Sequence, residues 1–395
     1  MAGRPFLQIP GPALVPERVA RAMSQSLIDH RGPEFARLLK EVLDGLKNVF
    51  QTTGGEIVLY PGSGTGAWEA SLVNTLSPGD RVLGCVNGHF SDRFCQTASA
   101  HGMEVETLEV PYGVGVPADL VEEHLRADKK RGIKAVLALH SETSTGVVSD
   151  IAAIRRAMDR ADHPALLLVD TVSSLATTDF RLDAWKVDVA LTGPQKGLML
   201  PPGMAILAVS QKALKAGRSA KCPRFFWDWA PVLERNASGE FPYTPATALL
   251  FGLKESLAML AEEGLPNVFL RHNRMAEACR RAVLAMGLKL LVKNPSECSS
   301  TLTAVCMPDG FDSDAYLAHA HSRLDISLGP GLGKVKGKIF RIGHLGSFNE
   351  LELLGALAGV EMTLKSFGVN IPLGAGLAAA ESYLLQSASN SGQGL

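Results

Sequence analysis

The chain has 395 residues, 46% hydrophobic and 20% charged, with a formal net charge of −1. That balance describes a folded globular protein and excludes a disordered one, while the length exceeds what a single core usually serves, so two domains or one large domain with a smaller satellite are expected. Basic residues are dispersed, with Lys129-Lys130-Arg131 the densest run, which gives no electrostatic footprint for nucleic acid, and no apolar run approaches the ~18 residues that cross a bilayer.

The first ten residues lack the hydrophobic stretch of a secretory signal, so an intracellular protein is expected. Six cysteines, at 85, 95, 222, 279, 298 and 306, are scattered with no Cys-x-x-Cys pair, which predicts reduced, mostly buried thiols and no metal site. Asn236-Ala237-Ser238 matches a glycosylation sequon, but without a secretory signal it reads as a chance match.

From 56 to 209 short apolar runs alternate with amphipathic stretches, the pattern of βαβ units and a mainly parallel sheet. Seven strands are predicted, at 56–60, 81–86, 104–110, 135–139, 165–169, 187–191 and 204–209, with helices at 67–76, 151–160 and 247–262. After Gly264 the pattern changes to a helix over 268–286, strands at 288–292 and 300–307, a helix over 313–323 and a strand at 338–343, which reads as a smaller α+β domain. The expected division is a segment 1–19, a large domain 20–263, a small domain 264–386 and a frayed polar tail 387–395.

Several residues lie where chemistry is done in such a fold. Tyr60-Pro61-Gly62-Ser63-Gly64-Thr65-Gly66-Ala67 joins a strand to a helix, and its glycines, hydroxyls and free helix-start amides suit a phosphate. The rival is a dinucleotide fold, but that fingerprint asks for an acid at the end of the next strand, where only Asn87 stands. Phe90 follows the second strand on the same crevice side, where it either stacks on a planar ring or fills the core. The hydroxyls of 140–146 either bond a ring substituent or cap a helix.

Asp170 ends one strand and Lys196 follows another, so one α/β crevice brings a carboxylate and an ammonium together. That pairing suits pyridoxal phosphate, which needs a lysine amine for its aldehyde and an acid against its ring nitrogen. The alternative for Lys196 is a solvated loop position. Arg341, flanked by Phe340 and Ile342, needs an anionic partner, either a substrate carboxylate or a buried acid.

With Ser63, Phe90, Thr143, Asp170, Gln195, Lys196 and Arg341 in this order, the chain resembles the class V, fold-type I aminotransferases, and within them the serine:glyoxylate and alanine:glyoxylate enzymes. The similarity runs from Pro10-Gly11-Pro12 to about residue 384, through the stretches 64–69, 74–80, 163–170, 262–265 and 338–346. The resemblance implies a fold-type I transferase whose large domain carries a seven-stranded, mainly parallel sheet beside a smaller C-terminal α+β domain. It implies pyridoxal 5'-phosphate on Lys196, Asp170 at the ring nitrogen, Phe90 on the ring and Thr143 near the phenolic oxygen. Ser63, Gly64, Thr65 and Gln195 would hold the phosphate, with Tyr243 and Thr244 reaching it from the other subunit of a homodimer, or of a tetramer. Arg341 would take the substrate carboxylate, with Gly11 in the segment 1–19 at the entrance.

The implied reaction is ping-pong transfer of an amino group from a small L-amino acid, serine first, to glyoxylate, giving glycine and a 2-oxo acid such as hydroxypyruvate. Alanine, aspartate and hydroxyaspartate are the alternative donors. Two positions depart from the family pattern: Pro194 stands where serine is usual, and Phe241 where a cross-subunit tyrosine is usual. Photosynthetic relatives end in a peroxisomal signal that Gly392-Gln393-Gly394-Leu395 does not match, so a cytoplasmic location is expected unless the source is a photosynthetic eukaryote. Cysteine desulfuration is disfavoured because 327–337 holds no cysteine, a nicotinamide-dependent dehydrogenase because of Asn87, and a non-catalytic scaffold because it leaves Lys196, Asp170 and Arg341 unexplained.

Overall fold

The computed structural model of the chain describes residues 5–390. Its large sheet has seven strands in the order Glu56–Pro61, Met204–Val209, Val189–Thr192, Leu166–Asp170, Ile133–Leu139, Arg81–Val86, Glu104–Glu109. Met204–Val209 runs antiparallel to both its neighbours, and every other pair is parallel. The central strands are buried along their length, as in Leu166–Asp170, which is why they read as unbroken apolar runs instead of alternating ones. The edge strand Glu104–Glu109 keeps Glu104 and Glu109 exposed, charges that discourage pairing with another chain.

Helix Gly64–Thr75 is buried on nearly every side and packs on the sheet. Helix Thr247–Glu263 packs against Glu17–Met23 and Pro33–Phe50. No helix was predicted before residue 67, yet Pro33–Phe50 spans 18 residues, with Pro at its first position and Leu38, Leu39, Val42, Leu46 and Val49 forming one buried face.

A second sheet has the order Phe6–Gln8, Ile326–Pro330, Ile339–Gly343, Leu302–Cys306, Lys289–Leu290. Helices Leu265–Ala285, Ser313–Leu324, Glu350–Ser366 and Ala375–Asn390 bury a separate apolar cluster that includes Met275, Val283, Tyr316, Phe340 and Leu357. The strand at 288–292 shortens to Lys289–Leu290, and the last two helices were not predicted. Helix Ala375–Asn390 runs on through the start of the expected tail, and 391–395 lie outside the described residues.

The N-terminal segment joins the second sheet. Phe6–Gln8 adds a parallel strand beside Ile326, Ser327 and Leu328 of the second sheet, and five residues later the Ala13 amide donates to the Gln195 carbonyl at 2.8 Å. Residues 9–12 thereby cross between the two sheets as a strap. All six cysteines are unpaired and four are buried. Among the described residues, no helix is long and apolar enough to cross a membrane.

Candidate active site

Six of the seven strands run parallel, so the segments leaving their carboxyl ends meet on one edge of the large sheet. A cavity of about 390 Å³ lies there, closed from the other side by the strap and by Gly329, Pro330 and Arg341 of the second sheet. Of the residues expected in the site, Gly11, Ser63, Gly64, Thr65, Phe90, Thr143, Asp170, Gln195, Lys196 and Arg341 all border it. A larger groove of about 620 Å³ beside helix Pro33–Phe50 has no such convergence of buried ionisable groups.

Ser63 caps helix Gly64–Thr75, its hydroxyl accepting from the Gly66 amide at 3.2 Å, while the amides of Gly64 and Thr65 begin the helix and have no partner within it. This positive helix end opens on the cavity, and the Gln195 Oε1 is buried nearby without a partner. Pro194, which has no N–H, contributes no donor there.

Asp170 ends strand Leu166–Asp170 and is 3% exposed. Its Oδ1 accepts from the Val172 amide at 2.7 Å and its Oδ2 from the Trp68 indole N–H at 2.8 Å. Burial raises its pKa to about 6, with the Glu142 charge adding to the rise and the two donors and Lys196 opposing it.

Lys196 leaves strand Val189–Thr192 by the turn Gly193-Pro194-Gln195 and is 7% exposed. It is therefore not a solvated loop residue. Its Nζ donates to Ser173 Oγ at 2.7 Å and to Thr143 Oγ1 at 3.1 Å, and those two hydroxyls also contact each other. Burial first, and the Arg341 charge second, lower its pKa to about 7. Burial thus moves the amine toward its neutral form.

Arg341 stands in the middle of strand Ile339–Gly343, 5% exposed, and donates through Nε to the Pro330 carbonyl at 2.8 Å and through an Nη to the Thr143 carbonyl at 2.6 Å. Burial pulls its pKa down to about 10, with the Glu142 charge acting against that. Among the described residues no carboxylate forms an ion pair with it, so the second explanation offered by the sequence, a buried acid in contact, does not hold. The remaining N–H groups are available to an anion in the cavity.

Phe90 is half-buried at the first turn of helix His89–Ala100, edge-on to His89 at 5.4 Å, and borders the cavity instead of filling the core. The segment 140–146 forms a short hairpin between Ser141–Glu142 and Val147–Val148, so Thr143 sits at its turn. Tyr243 and Thr244 are not brought to the cavity of their own chain: the Tyr243 hydroxyl donates to the Leu59 carbonyl at 3.3 Å, its ring stacks on Phe226 at 5.2 Å, and Thr244 is exposed. Phe241 is buried in its own chain, edge-on to Phe35 at 6.1 Å.

Three residues of the site carried no assigned role. Trp68 lies one helical turn from Gly64 and so shares its face, a signal present in the sequence. Ser173 follows Asp170 by less than a turn. Glu142 is fully buried, accepting at Oε2 from the Ser91 amide at 2.8 Å and at Oε1 from the Ser144 amide at 2.9 Å, the Ser144 hydroxyl at 2.7 Å and the Phe90 amide at 3.3 Å. Gly88 makes the room, since a β-carbon there would lie 2.2 Å from Glu142 Cγ.

Comparison with known proteins gives this geometry its context. The chain is 49% identical to the serine–glyoxylate aminotransferase of Methylorubrum extorquens, over 98% of this chain and 97% of that one. It is 48% identical to the L-aspartate–glyoxylate aminotransferase of Paracoccus denitrificans, over 96% of each. Its fold matches the crystal structure of ureidoglycine–glyoxylate aminotransferase from Bacillus subtilis with a TM-score of 0.88 at 29% identity, covering 97% of this chain and 98% of that one. The family described as Aminotransferase class-V matches residues 6–333, and the chain belongs to it.

Proposed function

We propose that this aminotransferase works with pyridoxal 5'-phosphate in the cavity around Lys196 and moves an amino group from a small L-amino acid, serine first, to glyoxylate. The observation that carries this reading is Lys196 itself, a buried amine pushed down to about 7 that faces the same cavity as Asp170 and Arg341. The residues fit the cofactor: an amine for its aldehyde, a buried carboxylate for its ring nitrogen, a helix start and the Gln195 side-chain N–H groups for its phosphate, and Phe90 and Val172 as walls.

When bound, the cofactor supplies an aldehyde that takes up the amino group and a protonated ring that draws off the electron pair left when the substrate Cα–H bond breaks. Lys196 would be the base, its Nζ taking the proton from the substrate Cα and holding it for return. Thr143 and Ser173 hold that nitrogen in place through their hydroxyls. Asp170 would hold the ring nitrogen in its protonated form, and Arg341 would take the substrate carboxylate through its unused N–H groups. The strap 9–12 limits the room beside Lys196, since a β-carbon on Gly11 would lie 2.8 Å from its Cε.

Serine is favoured because Lys196 and Arg341 are the only cations that border the cavity among the described residues, which leaves the second carboxylate of aspartate or hydroxyaspartate without one of its own. Relatives named for serine and for aspartate bracket this choice. Alanine fits on the same ground. The segment 1–19 is taken as the N-terminal segment that packs at the active site or dimer partner, 20–263 as the cofactor domain and 264–386 as the smaller domain. A homodimer is supported by Thr244 and by Phe225, which is 96% exposed in the single chain, together with Ser63 and Thr65, which are also exposed.

The test is to mix the holoenzyme with serine, alanine, aspartate and hydroxyaspartate one at a time and follow loss of the cofactor's aldehyde absorbance, then add glyoxylate and measure glycine. Serine is expected to convert fastest, with glyoxylate restoring the absorbance. If none of the four converts, the donor and acceptor assignment is wrong. If purified protein takes up no cofactor, the cofactor assignment is wrong as well.

A further inference from the structure

Helix Gly64–Thr75 meets the cavity twice. Its first residues, capped by Ser63, face the cavity mouth, and one turn later Trp68 reaches Asp170 at the far end. The indole is 3% exposed and lies nearly parallel to Phe94, with centroids 5.5 Å apart and an interplanar angle of 16°, so its N–H has one direction to point. An indole N–H donates and never accepts. It therefore favours an oxygen that carries charge and cannot adapt to a protonated one by reversing roles.

We propose that Trp68 is a positioning residue for Asp170: by occupying Oδ2 while the Val172 amide occupies Oδ1, it fixes the plane of the carboxylate and keeps it charged toward the ring nitrogen of the bound cofactor. This rests on the cofactor reading above. A single rigid helix then ties the anion end of the site to the ring-nitrogen end, so the spacing between the two is built into one turn of helix.

The charged groups around Asp170 leave Trp68 as its one side-chain hydrogen-bond donor. Glu142, from the hairpin after Ile133–Leu139, raises its affinity for a proton. Lys196 acts the other way but spends its hydrogen bonds on Ser173 and Thr143, and Arg341 on the carbonyls of Pro330 and Thr143. Glu69, on the same helix as Trp68, is turned away to the Trp227 indole at 3.1 Å. Without Trp68, the Val172 amide would be the only hydrogen bond left to oppose, beside the Lys196 charge, the cost of burying the carboxylate.

The experiment has two arms. In cofactor-free protein labelled with ¹⁵N at its four tryptophans, the Trp68 indole resonance, identified by its loss in Trp68→Phe, is expected to follow a carboxyl titration that disappears in Asp170→Asn. In the holoenzyme, Trp68→Phe keeps the stack on Phe94 but removes the donor. The acid limb of its kcat/KM profile is expected to move up by about one pH unit, with the alkaline limb and the cofactor content unchanged. An indole resonance that is flat, or that titrates equally in Asp170→Asn, overturns the proposal, as does a Trp68→Phe profile that superimposes on the wild type. If Trp68→Phe does not fold, the indole resonance that Asp170→Asn silences decides it. Wild-type protein that binds no cofactor would defeat the cofactor reading alone, because the first arm needs none.

Discussion

Gly11 and Lys196 are in direct contact: a β-carbon on Gly11 would lie 2.8 Å from Lys196 Cε, and Gly11 has a backbone φ of +112°. Gly11→Ala therefore forces either the strap or the lysine to move, and adds the strain of an L side chain in a left-handed conformation, about 1 kcal/mol or more. Turnover is expected to fall at least tenfold, with a melting temperature lowered by a few degrees, measured by steady-state kinetics and thermal unfolding. Unchanged kinetics would mean that the strap does not limit the position of the lysine.

Ser173→Ala removes the shorter of the two hydrogen bonds to Lys196 Nζ. Thr143 alone then holds the amine, and kcat is expected to drop about tenfold while cofactor content stays near wild type, as read by absorbance per protein chain. An equal loss of cofactor would place Ser173 in binding instead.

Arg341→Lys keeps a positive charge but loses the planar fork, so a carboxylate is held by a point charge in place of two parallel bonds. KM for both the amino donor and glyoxylate is expected to rise about 10- to 100-fold, with kcat changed less. A variant with wild-type KM for both substrates would show that the carboxylate is bound elsewhere.

The pH dependence follows from two groups. Asp170 ionises near 6 and Lys196 becomes neutral near 7, and both changes favour the reaction, so turnover should rise steadily between pH 6 and 8. For folding, the sign differs between them. The folded lysine binds fewer protons than the unfolded one between about 7 and its ordinary 10.5, so its contribution to stability rises across that window, and its burial cost is at full size below it. Asp170, with a folded pKa raised from 3.8 to about 6, makes stability fall as pH rises through that range. Cofactor-free Lys196→Met should accordingly melt higher than the wild type, with the widest gap below pH 7. A gap that widens above pH 8 would contradict the assignment.

Glu142→Gln turns an acceptor-only group into one that presents an NH₂ to amide donors. With the Phe90, Ser91 and Ser144 amides all feeding this side chain, the variant is expected to lose about 1–3 kcal/mol by chemical denaturation. A neutral result would mean that the site relaxes around the amide.

The seven-stranded sheet was legible because its strands are covered on both faces, which leaves long apolar runs with turn residues between them. Lys196, Asp170 and Arg341 were legible for a related reason, being charged residues at the ends or in the middle of such runs. The N-terminal strand was not, because Phe6–Gln8 is three residues long and is defined only by its pairing with Ile326, Ser327 and Leu328, some 320 positions away. Helix Pro33–Phe50 carries its signal in the sequence, Pro at the first position and an apolar face through Leu38, Leu39, Val42, Leu46 and Val49. Glu142 and Ser173 had little local signal: apart from Ser144 beside Glu142, the side-chain partners come from other strand ends, and only the folded sheet brings them together. Tyr243 and Thr244 lie away from the cavity of their own chain, where the Tyr243 hydroxyl donates to the Leu59 carbonyl.

The central claim is that Lys196 carries the cofactor, and it is tested most directly by reducing the holoenzyme with borohydride, digesting it and locating the added mass by tandem mass spectrometry. The account predicts one pyridoxyl phosphate group per chain, on Lys196, and none in Lys196→Ala. Label on another lysine, or undiminished label in the alanine variant, would contradict it.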